Sequence, residues 1–136
     1  MIGTSVERNP ESKAAGKHRV LIVEDELFIA LDLEATVKAM GFDVAGLATG
    51  KDQAMELAPA ADIAFVDVNL SDGPTGPEIG RRLVEEFGVT VVFMTGNPEA
   101  VAGRLQGALG VVTKPAIPSA VERSLKHASD VRRGFS

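Results

Sequence analysis

Polar side chains that could bind a cation and a phosphoryl group follow four short apolar segments of the sequence. Glu24 and Asp25 follow R-V-L-I-V, Asp67 follows I-A-F-V, Thr95 follows V-V-F-M, and Lys114 follows V-V-T. If the three carboxylates lie together, two of them ~4 Å apart repel by about 4 kcal/mol at an effective dielectric constant of about 20. They would then raise one another's pKa or recruit a cation. Because the sequence has no Cys, oxygen ligands are expected, and these favour Mg²⁺, or Mn²⁺.

The same residues predict phosphoryl chemistry. With a cation neutralising charge, Asp67 can attack phosphorus and form an aspartyl phosphate. The hydroxyl of Thr95 and the ammonium of Lys114 suit the remaining phosphoryl oxygens. A simpler interpretation is that each polar residue only ends its strand, since Asp starts turns well. Because four strands end in this way, we predict one shared site.

An open parallel sheet would bring these strand ends together. Short apolar runs, typical of strands buried on both faces, alternate five times with segments of helical character. This alternation predicts right-handed crossovers, with two helices on one face of the sheet and three on the other. The pattern fits an α/β, flavodoxin-like doubly wound sheet with strand order 2-1-3-4-5, whose ligands bind at the carboxyl ends of the strands.

Three of the predicted helices are specified by residue positions that the structure can test. The first is expected over residues 26–40, which carry apolar residues at mostly helical spacing: Phe28, Leu31, Val37 and Met40. The fourth is expected near residues 99–105, although glycines interrupt it. The last is expected from about Ser119 to His127. His127 and His18 lie outside the strand ends and are predicted to be solvated.

Composition favours one globular domain. With 136 residues, of which 45% are hydrophobic and 24% charged, the chain can form a full core but is short for two domains. We predict a disordered lead over residues 1–17, the domain over 18–128 and a tail over 129–136. The net charge of -5 argues against nucleic-acid binding. Neither a membrane span nor a secretory signal is evident, so no membrane association and a cytoplasmic location are expected.

Four ordered motifs carry a resemblance to a known family. V-L-I-V-E-D-E, F-V-D-V-N-L, V-F-M-T-G and V-V-T-K-P resemble the response-regulator receiver domain of two-component signalling, over roughly residues 18 to 128. The resemblance implies that Asp67 accepts a phosphoryl group from a phosphohistidine on a sensor histidine kinase or a phosphotransfer protein. It implies that Glu24, Asp25 and Asp67 bind Mg²⁺ together with the backbone carbonyl of Asn69. It also implies a cis peptide bond before Pro115.

The sequence departs from the family pattern at the positions expected to transmit the signal. Most receivers carry Tyr or Phe three residues before the lysine, whereas this chain has Val111 there and no Tyr or Trp at all. The segment F-M-T-G-N resembles an atypical subgroup with a Phe-Ala-Thr-Gly-like signature. We therefore predict that output runs through Thr95, Gly96, Asn97 and a labile fourth helix instead of an aromatic rotamer.

The alternative function is a Mg²⁺-dependent phosphohydrolase on a similar sheet. Haloacid-dehalogenase-type phosphatases and Toprim-type domains carry a D-x-D motif, but the segment here reads D-V-N, so Asn69 stands in place of the second Asp. A flavin-binding protein would carry a phosphate-binding loop after the first strand, where this chain has E-D-E. We therefore expect a single-domain response regulator that contacts a downstream protein target or acts as a phosphate sink.

Overall fold

The computed structural model describes residues 18–70, 73–101, 103, 105 and 107–134. The predicted lead, residues 1–17, lies outside this description. In chain order the elements are β1 (Arg19–Val23), α1 (Leu27–Ala39), β2 (Asp43–Ala48), α2 (Lys51–Leu57), β3 (Ile63–Asp67), α3 (Gly76–Phe87), β4 (Thr90–Thr95), β5 (Gly110–Thr113) and α4 (Pro118–Arg132). Two short 3-10 turns, Ala58–Ala60 and Pro98–Val101, complete them. Within the described part of the chain, no helix has both the length and the apolar character that crossing a membrane requires.

The sheet has the predicted order and direction. Its five strands are all parallel and run β2-β1-β3-β4-β5, which confirms the flavodoxin-like fold class. β3 is buried at every position and β1 at all but the first, as expected for apolar strands covered on both faces. The register pairs Asp67 with Met94 and Thr95 with Thr113. The carboxyl ends of β3, β4 and β5 are therefore level with one another.

Two apolar layers hold the helices to the sheet, because successive strand residues point to opposite faces. One face carries α2 and α3 and is built on these strand residues: Leu21, Val23, Ala64, Val66, Val91 and Phe93. The other carries α1 and α4 on a second set: Val20, Ile22, Ile63, Phe65, Val92 and Met94. Both layers extend to the carboxyl edge of the sheet, so the residues that end the strands lie directly above the packed hydrophobic core.

The predicted fourth helix is wrong. In its place the described residues form the 3-10 turn Pro98–Val101. Among the described residues each face of the sheet therefore carries two α-helices, whereas the prediction had two helices on one face and three on the other. Gly103 and Gly107 have φ angles of 77° and 84°, which belong to the left-handed region and cannot continue a right-handed helix. The glycines that interrupted the helical pattern in the sequence therefore end it in the structure.

Helix α1 forms where predicted, but two residues at the predicted helical spacing are exposed. Phe28 is 82% and Leu31 is 41% exposed, whereas Ala30, Leu33 and Val37 are buried. The segment L-F-I-A-L begins the helix with five apolar residues in a row, so their spacing alone does not identify the buried face.

The last helix is longer than predicted. It continues past His127 to Arg132, so residues 129–132, which were expected in the tail, are helical. Ser129 Oγ lies 3.0 Å from Nδ1 of His18, and Arg132 donates hydrogen bonds to the carbonyl of Gly88 and to Thr90 Oγ1. His18 is buried, so the prediction that it is solvated is wrong, while His127 is exposed as predicted. These contacts join residues far apart in sequence, which fixes the end of α4 in a way that local pattern does not reveal.

Candidate functional site

The residues at and just beyond the carboxyl ends of β1, β3 and β5 form one charged cluster. One carboxylate oxygen from each of Glu24, Asp25 and Asp67 lies within 4.8 Å of the others. Lys114 Nζ is 2.9 Å from Asp67 Oδ2 and 3.4 Å from Glu24 Oε1. Glu24 and Asp67 are only 1% and 3% exposed, so little solvent screens their interaction. The parallel sheet thus brings four of the residues identified in the sequence into one cluster.

Burial perturbs the ionisation of Glu24. Loss of solvent raises the pKa of its carboxyl to about 7, and the nearby charge and hydrogen bond of Asp67 add to this effect. The N–H of Glu26, which donates to Glu24 Oε2 at 3.1 Å, and the charge of Lys114 lower the pKa but do not outweigh the burial. The cluster therefore takes up a proton near neutral pH when no cation neutralises it.

Lys114 remains protonated at this site. Burial by itself lowers the pKa of the ammonium, but the hydrogen bonds and negative charges of Asp67 and Glu24 reverse this, and the net pKa is raised. The ammonium therefore offsets part of the negative charge of the cluster. It also provides a donor at the point where an oxyanion on Asp67 would lie.

Both oxygens of the Asp67 carboxylate have donors. Oδ1 accepts a hydrogen bond from the backbone N–H of Asn69 at 3.0 Å, and Oδ2 accepts one from Lys114 at 2.9 Å. These bonds fix the orientation of the carboxylate at the end of β3. Asn69 itself is exposed and lies two residues beyond the strand.

Thr95, at the end of β4, is connected to the turn that follows it. Its Oγ1 accepts a hydrogen bond from the N–H of Asn97 at 3.1 Å, which leaves the hydroxyl proton for another acceptor. The side-chain oxygen of Asn97 in turn accepts a bond from Ala100 N at 3.3 Å, inside the 3-10 turn. A displacement of the Thr95 hydroxyl would therefore alter the hydrogen bonds that connect Thr95 to this turn through Asn97.

The remaining predicted site residues lie around this centre. Gly96 and Asn97 are exposed, and Val111 on β5 is 43% exposed, so its side chain is not part of the core. The Lys114–Pro115 peptide bond is cis. The sequence did not point to the backbone N–H of Glu26, because a backbone donor has no signature in residue type.

The donor set fits a hard divalent cation. The three clustered side chains offer carboxylate oxygens, which Mg²⁺ and Mn²⁺ accept readily, and one of them has a raised pKa that a cation would lower. The geometry of the cluster is thus consistent with the metal expected from the sequence.

Comparison with known proteins decides the family. The family model for the response regulator receiver domain matches residues 20–126. The chain belongs to this family. This membership confirms the resemblance seen in the sequence, and it favours a regulator over the phosphohydrolase that was the alternative.

Relatives of this receiver domain are response regulators. It is 33% identical to the phyllosphere-induced regulator PhyR of Methylorubrum extorquens over 113 residues, which is 80% of this chain and 42% of PhyR. It is 32% identical to the aerobic respiration control protein ArcA of Escherichia coli over 103 residues, or 73% of this chain and 43% of ArcA. The chain thus spans less than half the length of these two curated relatives.

Solved structures support the same assignment. The receiver domain of PhyR from Erythrobacter litoralis is 33% identical, with a TM-score of 0.76 over 85% of this chain and 92% of that one. PhyR from Brucella abortus is 29% identical, with a TM-score of 0.78 over 90% of this chain and 53% of that one.

Proposed function

We propose that this receiver domain accepts a phosphoryl group on Asp67 from a phosphohistidine of a sensor histidine kinase or histidine phosphotransfer protein, in a reaction that requires Mg²⁺ or Mn²⁺. The observation that carries the proposal is the position of Asp67. Its carboxylate lies within 4.8 Å of two others and 2.9 Å from the Lys114 ammonium. A nucleophile, a cation site and a phosphoryl-oxygen donor therefore meet at one edge of the sheet.

The transfer is a substitution at phosphorus. A carboxylate oxygen of Asp67 forms the new P–O bond while the P–N bond of phosphohistidine breaks. The electron pair of that bond stays on the imidazole, which leaves as a neutral ring when its other nitrogen is protonated. The Asn69 N–H holds one oxygen of the nucleophile in place, and Lys114, which donates to the other oxygen before the transfer, would donate to an oxygen of the incoming group.

Glu24, Asp25, Asp67 and the backbone carbonyl of Asn69 would hold the metal. When bound, Mg²⁺ supplies positive charge that offsets the charge of the carboxylates and of the phosphoryl oxygens. The buried carboxylates of Glu24 and Asp67 keep that charge close to the reacting oxygen.

The output would begin at Thr95. A phosphoryl oxygen on Asp67 gives the Thr95 hydroxyl a new acceptor, and a shift toward it weakens the bond from Asn97 N to Thr95 Oγ1. Because Asn97 also binds the 3-10 turn, the order of that turn changes without an aromatic side chain at Val111. A downstream protein would recognise the altered surface, or the domain would act as a phosphate sink. Exchange with a sensor kinase also implies a cytoplasmic location.

Phosphorylation with a small-molecule donor tests the proposal. Wild-type protein incubated with acetyl phosphate should gain one phosphoryl group by mass spectrometry with Mg²⁺ or Mn²⁺ present, and none in EDTA. Asp67→Asn should abolish the gain, whereas Asp32→Asn, the same change at an exposed position of α1, should leave it intact. Mg²⁺-dependent phosphorylation of Asp67→Asn at the wild-type level would show that the phosphoacceptor lies elsewhere.

A further inference from the structure

The first residue of α3 is in contact with the backbone at the end of β3. A Cβ atom added at Gly76 would overlap the carbonyl oxygen of Asp67 and lie 2.7 Å from both Cα and the carbonyl oxygen of Val68. These are backbone atoms, which cannot rotate out of the way as a side chain can. The φ angle of Gly76 is outside the left-handed region, so the residue is required here for space and not for conformational freedom.

The peptide that Gly76 contacts is part of the Asp67 site. Val68 N donates to the carbonyl of Met94 at 2.9 Å, which ties the peptide to β4, and Gly76 N donates to the carbonyl of Val68 at 3.2 Å. The next residue, Asn69, donates its N–H to Asp67 Oδ1. A displacement of this short segment would therefore change both the direction of the Asp67 carboxylate and the position of Asn69.

Helix α3 cannot easily move away from the strand to make room. One turn after Gly76, a Cβ added at Gly80 would overlap the ring of Phe93, so the helix backbone here lies directly on a side chain of β4. Ile79 and Leu83 on the same face are fully buried. Lifting α3 would therefore open the core between the helix and the sheet.

We propose that Gly76 is a positioning residue for the phosphoacceptor. Because Gly76 has no side chain, α3 can pack directly against the Asp67–Val68 peptide. This contact sets the orientation of the Asp67 carboxylate and of the Asn69 backbone toward the cation and the phosphoryl group. The proposal rests on the proposed function of Asp67.

Two alanine substitutions in the same helix separate positioning from stability. Gly76→Ala places the added methyl against the backbone of the site, whereas Gly80→Ala places it against the Phe93 side chain. Gly110→Ala, at the first residue of β5, is a further control, because nothing lies within 4 Å of its added Cβ. Each variant is compared with wild type in its melting temperature, its Mg²⁺ affinity by calorimetry, and its rate of phosphorylation as a function of acetyl phosphate concentration.

Gly76→Ala should weaken Mg²⁺ binding by about tenfold and lower the maximal rate of phosphorylation by about tenfold or more. In metal-free protein, the NMR signal of the Asn69 amide should also shift. Gly80→Ala should lower the melting temperature but keep the Mg²⁺ affinity and the rate within about twofold of wild type, and Gly110→Ala should keep all three.

Two results would overturn the positioning role. One is a Gly76→Ala variant with wild-type Mg²⁺ affinity and rate; the other is a Gly80→Ala variant in which both fall as far as in Gly76→Ala. If Gly76→Ala is partly unfolded, sucrose is added and the Mg²⁺ titration is followed by NMR, where signals of the folded molecules are read separately. A failure of wild type itself to accept phosphate would refute the proposed function, whereas the Mg²⁺ and Asn69 measurements would still test the position of the carboxylate.

Discussion

Glu24 should make the metal-free protein less stable as the pH rises toward neutrality. Its buried carboxyl has a pKa raised from the ordinary 4.5 to about 7, chiefly because of burial. Between these values the folded protein binds more protons than the unfolded chain, so the free energy of unfolding falls as the pH increases. At about 1.4 kcal/mol for each pKa unit, the full loss above neutral pH is about 3 kcal/mol.

Substitution of Glu24 by Gln isolates this effect, since it keeps the shape of the side chain and removes its titration. Urea unfolding of both proteins in EDTA should give similar free energies at about pH 4, where Glu24 is largely protonated in both the folded and the unfolded state. At about pH 8 the Gln variant should be more stable by about 3 kcal/mol. Other titrating groups contribute to both curves and largely cancel in the difference. A difference between the proteins that does not grow with pH would refute the reasoning.

Mg²⁺ provides a second measurement of the same charge. A cation binds the deprotonated carboxylates, so the stabilisation of wild type by Mg²⁺ should be larger at high pH than at low pH. Glu24→Gln should show a smaller pH dependence of this stabilisation. An equal stabilisation by Mg²⁺ at both pH values in wild type would place the cation away from Glu24.

Two further predictions concern Asp25 and Thr95. Because Asp25 lies within 4.8 Å of two other carboxylates, Asp25→Asn should raise the stability of the metal-free protein by about 1 kcal/mol while weakening Mg²⁺ binding; a lower melting temperature than wild type in EDTA would contradict the repulsion argument. Thr95→Ala removes the acceptor of the Asn97 N–H, so amide hydrogen exchange over residues 99–101 of the 3-10 turn should no longer respond to a phosphoryl mimic. Equal and strong protection of these residues in wild type with and without the mimic would exclude the proposed output path.

The fold and the charged cluster could be predicted from sequence because both depend on local pattern. Each apolar run that ends in a polar residue specifies a strand and what stands at its carboxyl end. A parallel sheet then requires those ends to share an edge. For this reason the positions of Glu24, Asp67 and Lys114 were accessible without any knowledge of their contacts.

Other features depend on contacts between distant parts of the chain. The burial of His18 requires the end of α4, which places the Ser129 hydroxyl 3.0 Å from its Nδ1 atom. The buried face of α1 depends on which side of a largely apolar segment meets the sheet, and the sheet selects Ala30, Leu33 and Val37. Gly76 reads as an ordinary residue of a Gly- and Pro-rich loop until α3 is placed against β3. None of these relations leaves a period or a motif in the sequence.

The electrostatics of the cluster explain why its support must be rigid. Like charges that repel will separate if the backbone allows it, and separation would lower the affinity for a cation. Lys114 offsets part of the repulsion, but it contacts Glu24 and Asp67 through one flexible side chain. The backbone of Asp67 is held independently, by β4 through Val68 and by α3 through Gly76. Substitutions that loosen this backbone should therefore reduce Mg²⁺ affinity without raising metal-free stability, because they open the packed contact between α3 and the sheet. Removal of a carboxylate should also reduce Mg²⁺ affinity, but it should raise the metal-free stability because it relieves the repulsion and leaves the packing intact.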